Sequence, residues 1–168
     1  MQHFKTLSEY LAYVQLPQPE HPMLTILSSK GNQYLSCPIE SPPPISNDCY
    51  VISLKKVIKG NVNYGRTKYD ATNGAIIFLA PRQVIQWTKE IVIKQQGFLI
   101  MFHEDYLNGT ALAQQIREYG FFSYTANEAL HLSPNEERQI QVITDSIESE
   151  YHNNQDAFSK DIIISQLS

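Results

Sequence analysis

The sequence predicts a mainly β protein, an antiparallel barrel or sandwich followed by C-terminal helices. Three observations carry that expectation. Eight short runs rich in β-branched and aromatic residues fall between positions 23 and 102. Turn chemistry separates them: SKGN at 29–32, SPPP at 41–44, KGN at 59–61, the Asn73-Gly74 pair and PRQ at 81–83. After residue 104 the period of two gives way to helical spacing, and Ser133-Pro134-Asn135-Glu136 reads as a helix start.

The elements follow in order. Residues 6–14 place Leu7, Tyr10, Leu11 and Val14 on one face of a short amphipathic helix, which Pro17, Pro19 and Pro22 terminate. The expected strands are MLTIL at 23–27, QYLSC at 33–37, YVISLKKVI at 50–58, VNYGRTKYD at 62–70, AIIFLA at 75–80, VIQWT at 84–88, IVIK at 91–94 and GFLIMF at 97–102. Thr110 is placed to cap a helix carrying Leu112, Ile116 and Tyr119, and Gly120 to stop it. FFSY at 121–124 and ALHL at 129–132 read as further short strands. Ser133 at the cap, Pro134 at the first helical position and Glu136 three residues after the cap then form a capping box. The helix behind it carries a stripe of Ile140, Ile143, Ile147 and Tyr151; Asn153 and Asn154 interrupt, and a second amphipathic segment from Asp156 carries Phe158, Ile162, Ile163 and Leu167.

Composition narrows the function classes. A length of 168 residues fits one domain, and 42% hydrophobic with 18% charged residues excludes wholesale disorder. The net charge of −4, without a basic block, leaves this chain no electrostatic footprint for binding phosphates. Cys37 and Cys49 form neither a disulfide framework nor a CxxC motif, so reduced thiols are expected. No segment has the basic start and apolar run of a signal peptide, and none approaches the ~20 apolar residues of a membrane span. A soluble cytoplasmic protein is the expectation.

The conspicuous chemical cluster is His103-Glu104-Asp105, at the end of an apolar run. Adjacent strand residues point to opposite faces, and acidic side chains at a helix start meet unsatisfied N–H groups, so the structural reading outweighs a metal site. His3, His21, His131 and His152 complete no HxH, HxxxH or HExxH pattern, and the chain has neither a glycine-rich phosphate loop nor a GxSxG elbow. No metal, cofactor or catalytic residue is therefore expected. The aromatic residues Tyr50, Tyr64, Tyr69, Phe78, Trp87 and Phe102, weighed against a purely core role, could line a ligand pocket, and Tyr50, Tyr64, Phe78 and Trp87 are the leading candidates, with Arg66 as a cation for an anionic ligand and His103 at the strand end where a pocket would open.

Several stretches carry a family resemblance: CYVISLKKVIKGNVNYGRTKYDATNGAIIFLAPRQVI at 49–85, GFLIMFHEDYLNGTAL at 97–112 and IREYGFFSYTANEALHLSPNEERQI at 116–140. In this order, HEDYL, YGFFSY and EALHLSPNE resemble the N-terminal regulatory domain of AraC-type transcription regulators of the Bacteroidetes variety. The resemblance implies a cupin-like double-stranded antiparallel β-barrel over 23–132 with an inserted helix near 104–119. It also implies a helical dimerisation segment at 133–168. The helix and Pro-rich segment at 1–22 is a candidate arm, with terminal packing on the barrel as the simpler reading. A helix-turn-helix DNA-binding domain would follow beyond residue 168, so DNA would be contacted only there. The implied partners are an unknown small-molecule effector in the barrel and a second copy of the chain, with Ile140, Ile143, Ile147, Tyr151, Phe158, Ile162 and Leu167 as the dimer interface. Two departures stand out. GNVNYGRTKYDATNG contains none of the His ligands of metal-dependent cupins, and Arg82 stands where the family pattern has Gly. The competing expectations are a cupin-type metabolite enzyme using His103 or His131, and a dimerisation module with a filled barrel.

Overall fold

The computed structural model describes residues 1–28, 33–36, 42–65, 67–69, 74–87, 92–123, 130–153 and 156–168. Among the described residues ten strands form two sheets. One sheet has the order β1 (Gln2–Phe4), β4 (Ile45–Asn47), β9 (Ile85–Trp87), β6 (Val62–Tyr64) and β7 (Thr67–Tyr69), with β1 and β4 parallel. The other runs β2 (Leu24–Ser28), β10 (Val92–His103), β5 (Cys49–Lys59) and β8 (Ala75–Leu79), and β3 (Gln33–Ser36) also pairs with β10. No strand hydrogen-bonds across from one sheet to the other among the described residues, so the expected closed barrel is corrected to two separate sheets. Helical segments occupy about as many described residues as strands do, which makes the fold mixed α/β rather than mainly β.

Residues 49–54 of β5, strand β8 and residues 98–102 of β10 are covered on both faces, which explains the unbroken apolar run at 98–102. Alternation assigns the faces. Cys49, Val51, Ala75, Ile77, Leu79, Leu99 and Met101 point into an inner core shared with Ile45, Val62, Ile85 and Trp87 of the opposite sheet. Tyr50, Leu54, Ile76, Phe98, Ile100 and Phe102 point outward into a second core, covered by the C-terminal helices and the turns around 104–122.

The N-terminal segment is part of the inner core. Thr6 caps α1 (Leu7–Tyr13) and Glu9 completes the capping box. Leu7 and Leu11 are completely buried, and Tyr10 and Val14 pack beside them. Pairing of β1 with β4 fixes the entry to this helix. Of the two readings of 1–22, the packed terminus describes this segment and the arm does not, and its Pro-rich end is tied down as well: the Glu20 backbone N–H donates to the Tyr151 phenol oxygen at 2.7 Å.

β10 joins two runs expected as separate strands, 91–94 and 97–102. Gln95 pairs with Lys55 and Leu99 with Ser53, so β10 advances four residues while β5 advances two. Gly97, at φ +102°, lies within this bulge.

The C-terminal part begins with a 3-10 turn at Glu104–Leu107, then α2 (Leu112–Gln115) and further 3-10 turns at Ile116–Glu118 and Gly120–Phe122. Thr110 does not cap α2; its hydroxyl donates to the Leu107 carbonyl at 2.7 Å. Phe121 and Phe122 of FFSY lie in a 3-10 turn rather than a strand, and among the described residues of ALHL only Leu130 makes a bridge, to Ile76; Tyr124 and Ala129 lie outside the described residues. The capping box at Ser133 and Glu136 is present and opens α3 (Pro134–Tyr151). Asp156 caps α4 (Ala157–Leu167), which packs antiparallel to α3. Two hydrogen bonds lace the pair, Ser159 Oγ to Glu150 Oε1 and Gln166 Nε2 to Ser146 Oγ, each 2.6 Å.

Candidate functional site

The residues singled out from sequence do not converge on one pocket. Trp87 lies in the inner core and Tyr50 in the outer one, on opposite faces of the β10-containing sheet. Tyr50 stacks on Phe102 with centroids 5.4 Å apart and meets Phe122 edge-on at 5.1 Å. Burial pushes its phenol pKa up, while the Arg117 guanidinium, hydrogen-bonded to it, opposes that shift. Tyr64 occupies a register position of β6 opposite Thr67 and Ile85. Arg66 lies outside the described residues.

The junction around His103 is a polar clamp. Its Nδ1 accepts from the Asp105 backbone N–H at 3.1 Å, so the ring caps the 3-10 turn, and its own backbone N–H donates to the Met23 carbonyl at 2.9 Å. Glu104 turns to Arg82, which grips both carboxylate oxygens, with Nη2–Oε2 at 2.9 Å; Asp48 stands 3.5 Å from the same guanidinium. His3 extends the cluster, with Nε2 3.2 Å from Asp48 and Nδ1 sharing a 2.8 Å hydrogen bond with Ser46. The clamp thus gathers β1, the β4–β5 corner, the β8–β9 turn and the end of β10. Among the described residues no group of three His, Cys, Asp or Glu side chains is placed to hold a metal ion. His131, the other candidate for acid–base work, has Nδ1 donating to the Gly74 carbonyl at 2.9 Å.

Arg82 has φ +66°, the left-handed course that glycine adopts without strain. The turn therefore keeps a glycine-compatible path, and the side chain supplies a cation at the sheet edge. For a non-glycine residue this conformation costs about 1–2 kcal/mol, while an exposed ion pair contributes about 0.2–1 kcal/mol. Arg82→Gly is expected to leave stability within about 1 kcal/mol of wild type, and Arg82→Ala to lie about 1 kcal/mol below Arg82→Gly, as read by urea unfolding. The pairing also sets a pH signature. The Arg82 hydrogen bond holds the Glu104 carboxyl below its ordinary range, so this stabilisation is present above the usual carboxylate pKa and is lost as pH falls through the lowered one. Both substitutions should flatten that acid limb.

Among the described residues, Phe78 and Phe102 are the aromatic pocket candidates that line a common cleft. A cleft of about 360 Å³ opens on the outer face of the β10-containing sheet, between Ile52, Phe78 and Phe102, the turns carrying Ile116, Tyr119, Phe121 and Phe122, and the last turn of α4. Sequence reasoning missed Tyr119, Phe121 and Phe122 as pocket residues because it read them as helix face and strand. The signal was available in the density of aromatic residues in YGFFSY.

The interface candidates divide by burial. Ile147 and Tyr151 are buried in the outer core of their own chain and offer no surface to a partner. Ile140 and Leu167 are partly buried against that same core. The buried face of α3 is Ile140, Thr144, Ile147 and Tyr151, with the Thr144 hydroxyl satisfied by the Gln141 carbonyl at 3.0 Å. Ile143 is consequently rotated outward. Among the described residues, Val142 (70%), Ile143 (46%), Phe158 (77%) and Ile162 (45%) are exposed on this helix pair. No helix among the described residues is long and apolar enough to cross a membrane. No family model matches the chain, and no curated protein matches it.

Proposed function

We propose that this chain is the ligand-sensing and dimerisation domain of an AraC-type transcription regulator, with a cupin-like arrangement of its two sheets and no catalytic activity of its own. DNA would be contacted by a domain outside this chain, in keeping with the acidic balance here. The observation that carries the reading is the apolar exposure on the α3–α4 pair. Phe158 and Ile162 lie one turn apart on α4, and Val142 and Ile143 lie on α3 across the Ser146–Gln166 hydrogen bond. Large apolar side chains at this exposure, on helices already packed on one side, suit a two-fold contact in which each copy covers the other.

The motif resemblance supplies the regulatory reading, and the two sheets with terminal helices are compatible with it. The interface of this proposal is narrower than the stripe expected from sequence: Ile143, Phe158 and Ile162 remain, Val142 joins them, and the buried Ile147 and Tyr151 leave. Light scattering tests it. Wild-type protein is expected to be a dimer at micromolar concentration. The pair Phe158→Asp and Ile162→Asp should weaken the dimer at least ~30-fold, because loss of a central apolar anchor typically costs about 2 kcal/mol. A wild-type monomer at high concentration sinks the dimer reading.

A further inference from the structure

We propose that the outer cleft binds a small, flat, uncharged aromatic molecule. Its aromatic walls are Phe78, Phe102, Tyr119, Phe121 and Phe122, with Leu167 at one end, and among the described residues none of the lining side chains is charged at neutral pH. A charged ligand would lose its hydration against these side chains, and the guanidinium of the flanking Arg117 is already hydrogen-bonded to the Tyr50 phenol. The remaining polar positions are hydroxyls, which suits a ligand with one or two neutral hydrogen-bonding groups. A volume of about 360 Å³ lies in the range of small-molecule pockets.

The geometry favours a planar occupant. Phe102 and Phe122 are buried and form a fixed floor. Phe78 and Phe121 lie with centroids 4.5 Å apart, Tyr119 and Phe121 at 5.3 Å, and Phe78 meets Phe122 edge-on at 5.6 Å. Phe121 keeps 45% of its surface exposed, so the cluster ends in a ring that a ligand ring would cover. This site lies outside the inter-sheet space, which α1 and the inner core occupy. Leu167 places the last turn of α4 in the cleft wall, so occupancy would favour the docked position of α4. Binding itself stands on the cleft alone; its role as the sensing site rests on the regulatory reading.

Indole is the probe. Calorimetry on the full chain should give a dissociation constant on the order of 0.1 mM for a nine-atom ring system of this kind. Phe121→Ser should weaken binding about tenfold or more, and Glu137→Gln, on the exposed first turn of α3 and away from both the cleft and the proposed dimer contact, should leave it unchanged. Indole-3-carboxylate should bind at least about tenfold more weakly than indole. Methyl NMR of the wild-type protein reads the same site without mutation, and indole should shift Ile52, Ile116 and Leu167. The proposal is overturned by absence of binding at about 2 mM indole, by unchanged binding in Phe121→Ser, by equal loss in Glu137→Gln, by carboxylate binding as tight as indole, or by shifts confined to other methyl groups. A monomer that binds indole removes the dimer reading and leaves the cleft; a dimer indifferent to indole does the reverse.

Discussion

Leu11→Ala is expected to destabilise the protein by about 2–5 kcal/mol in urea unfolding, because it deletes a fully buried side chain and leaves a cavity between the sheets. Leu11 is on α1, in a segment that resembles a movable arm when read from its helix and Pro cluster alone. An arm that docks loosely would give a change within about 0.5 kcal/mol. The structure sets the larger value, since Leu7, Tyr10, Leu11 and Val14 all pack into the inner core with Ile45, Trp87 and Met101. The same argument places regulation elsewhere. A segment that holds the two sheets together is a poor candidate for release by a ligand, whereas α4 contacts both the outer core and the aromatic cleft. A small effect for Leu11→Ala would reopen the arm.

Local chemistry was legible where it is self-contained. Ser133 and Glu136 make their capping box from four neighbouring residues, and the spacing of Leu7, Tyr10, Leu11 and Val14 at i, i+3, i+4 and i+7 names the buried face of α1. What failed were choices that depend on partners. β1 and β4 are three-residue strands whose pattern means nothing until they pair with each other and with β9. On α3, Ile143 and Thr144 compete for one position, and hydropathy favours isoleucine. Packing selects threonine, because helix rotation is set jointly by Ile140, Ile147 and Tyr151, and the threonine hydroxyl finds a carbonyl within the helix. On α4, three consecutive isoleucines at 162–164 leave the face undefined from sequence, and the structure buries Ile163 and Ile164. The candidate site suffered most. Tyr50 and Trp87 were grouped as aromatics, but strand alternation and sheet partners send them to different cores.

Gly97→Ala should cost about 2–4 kcal/mol, more than a turn glycine usually does. Two effects combine. At φ +102° the backbone is in a region that side chains rarely adopt, and an added Cβ would lie 2.9 Å from Leu54 Cδ2. Leu54 is itself buried in the outer core, so its side chain has little room to retreat. Gly109→Ala separates the two contributions. Gly109 has φ +81°, and a Cβ there would meet nothing within 4 Å, so only the backbone cost of about 1–2 kcal/mol remains. Leu54→Ala in the Gly97→Ala background supplies the complementary arm: it removes the clash, so the two substitutions together should cost less than the sum of their separate effects. Strict additivity would mean that Leu54 does not resist the new Cβ. A full effect from Gly109→Ala would assign the cost at Gly97 to backbone conformation instead. The bulge is why β10 reads as two strands in sequence and acts as one in the fold, since Gly97 lets the chain turn within the ladder while Phe98 and its successors resume pairing with β2.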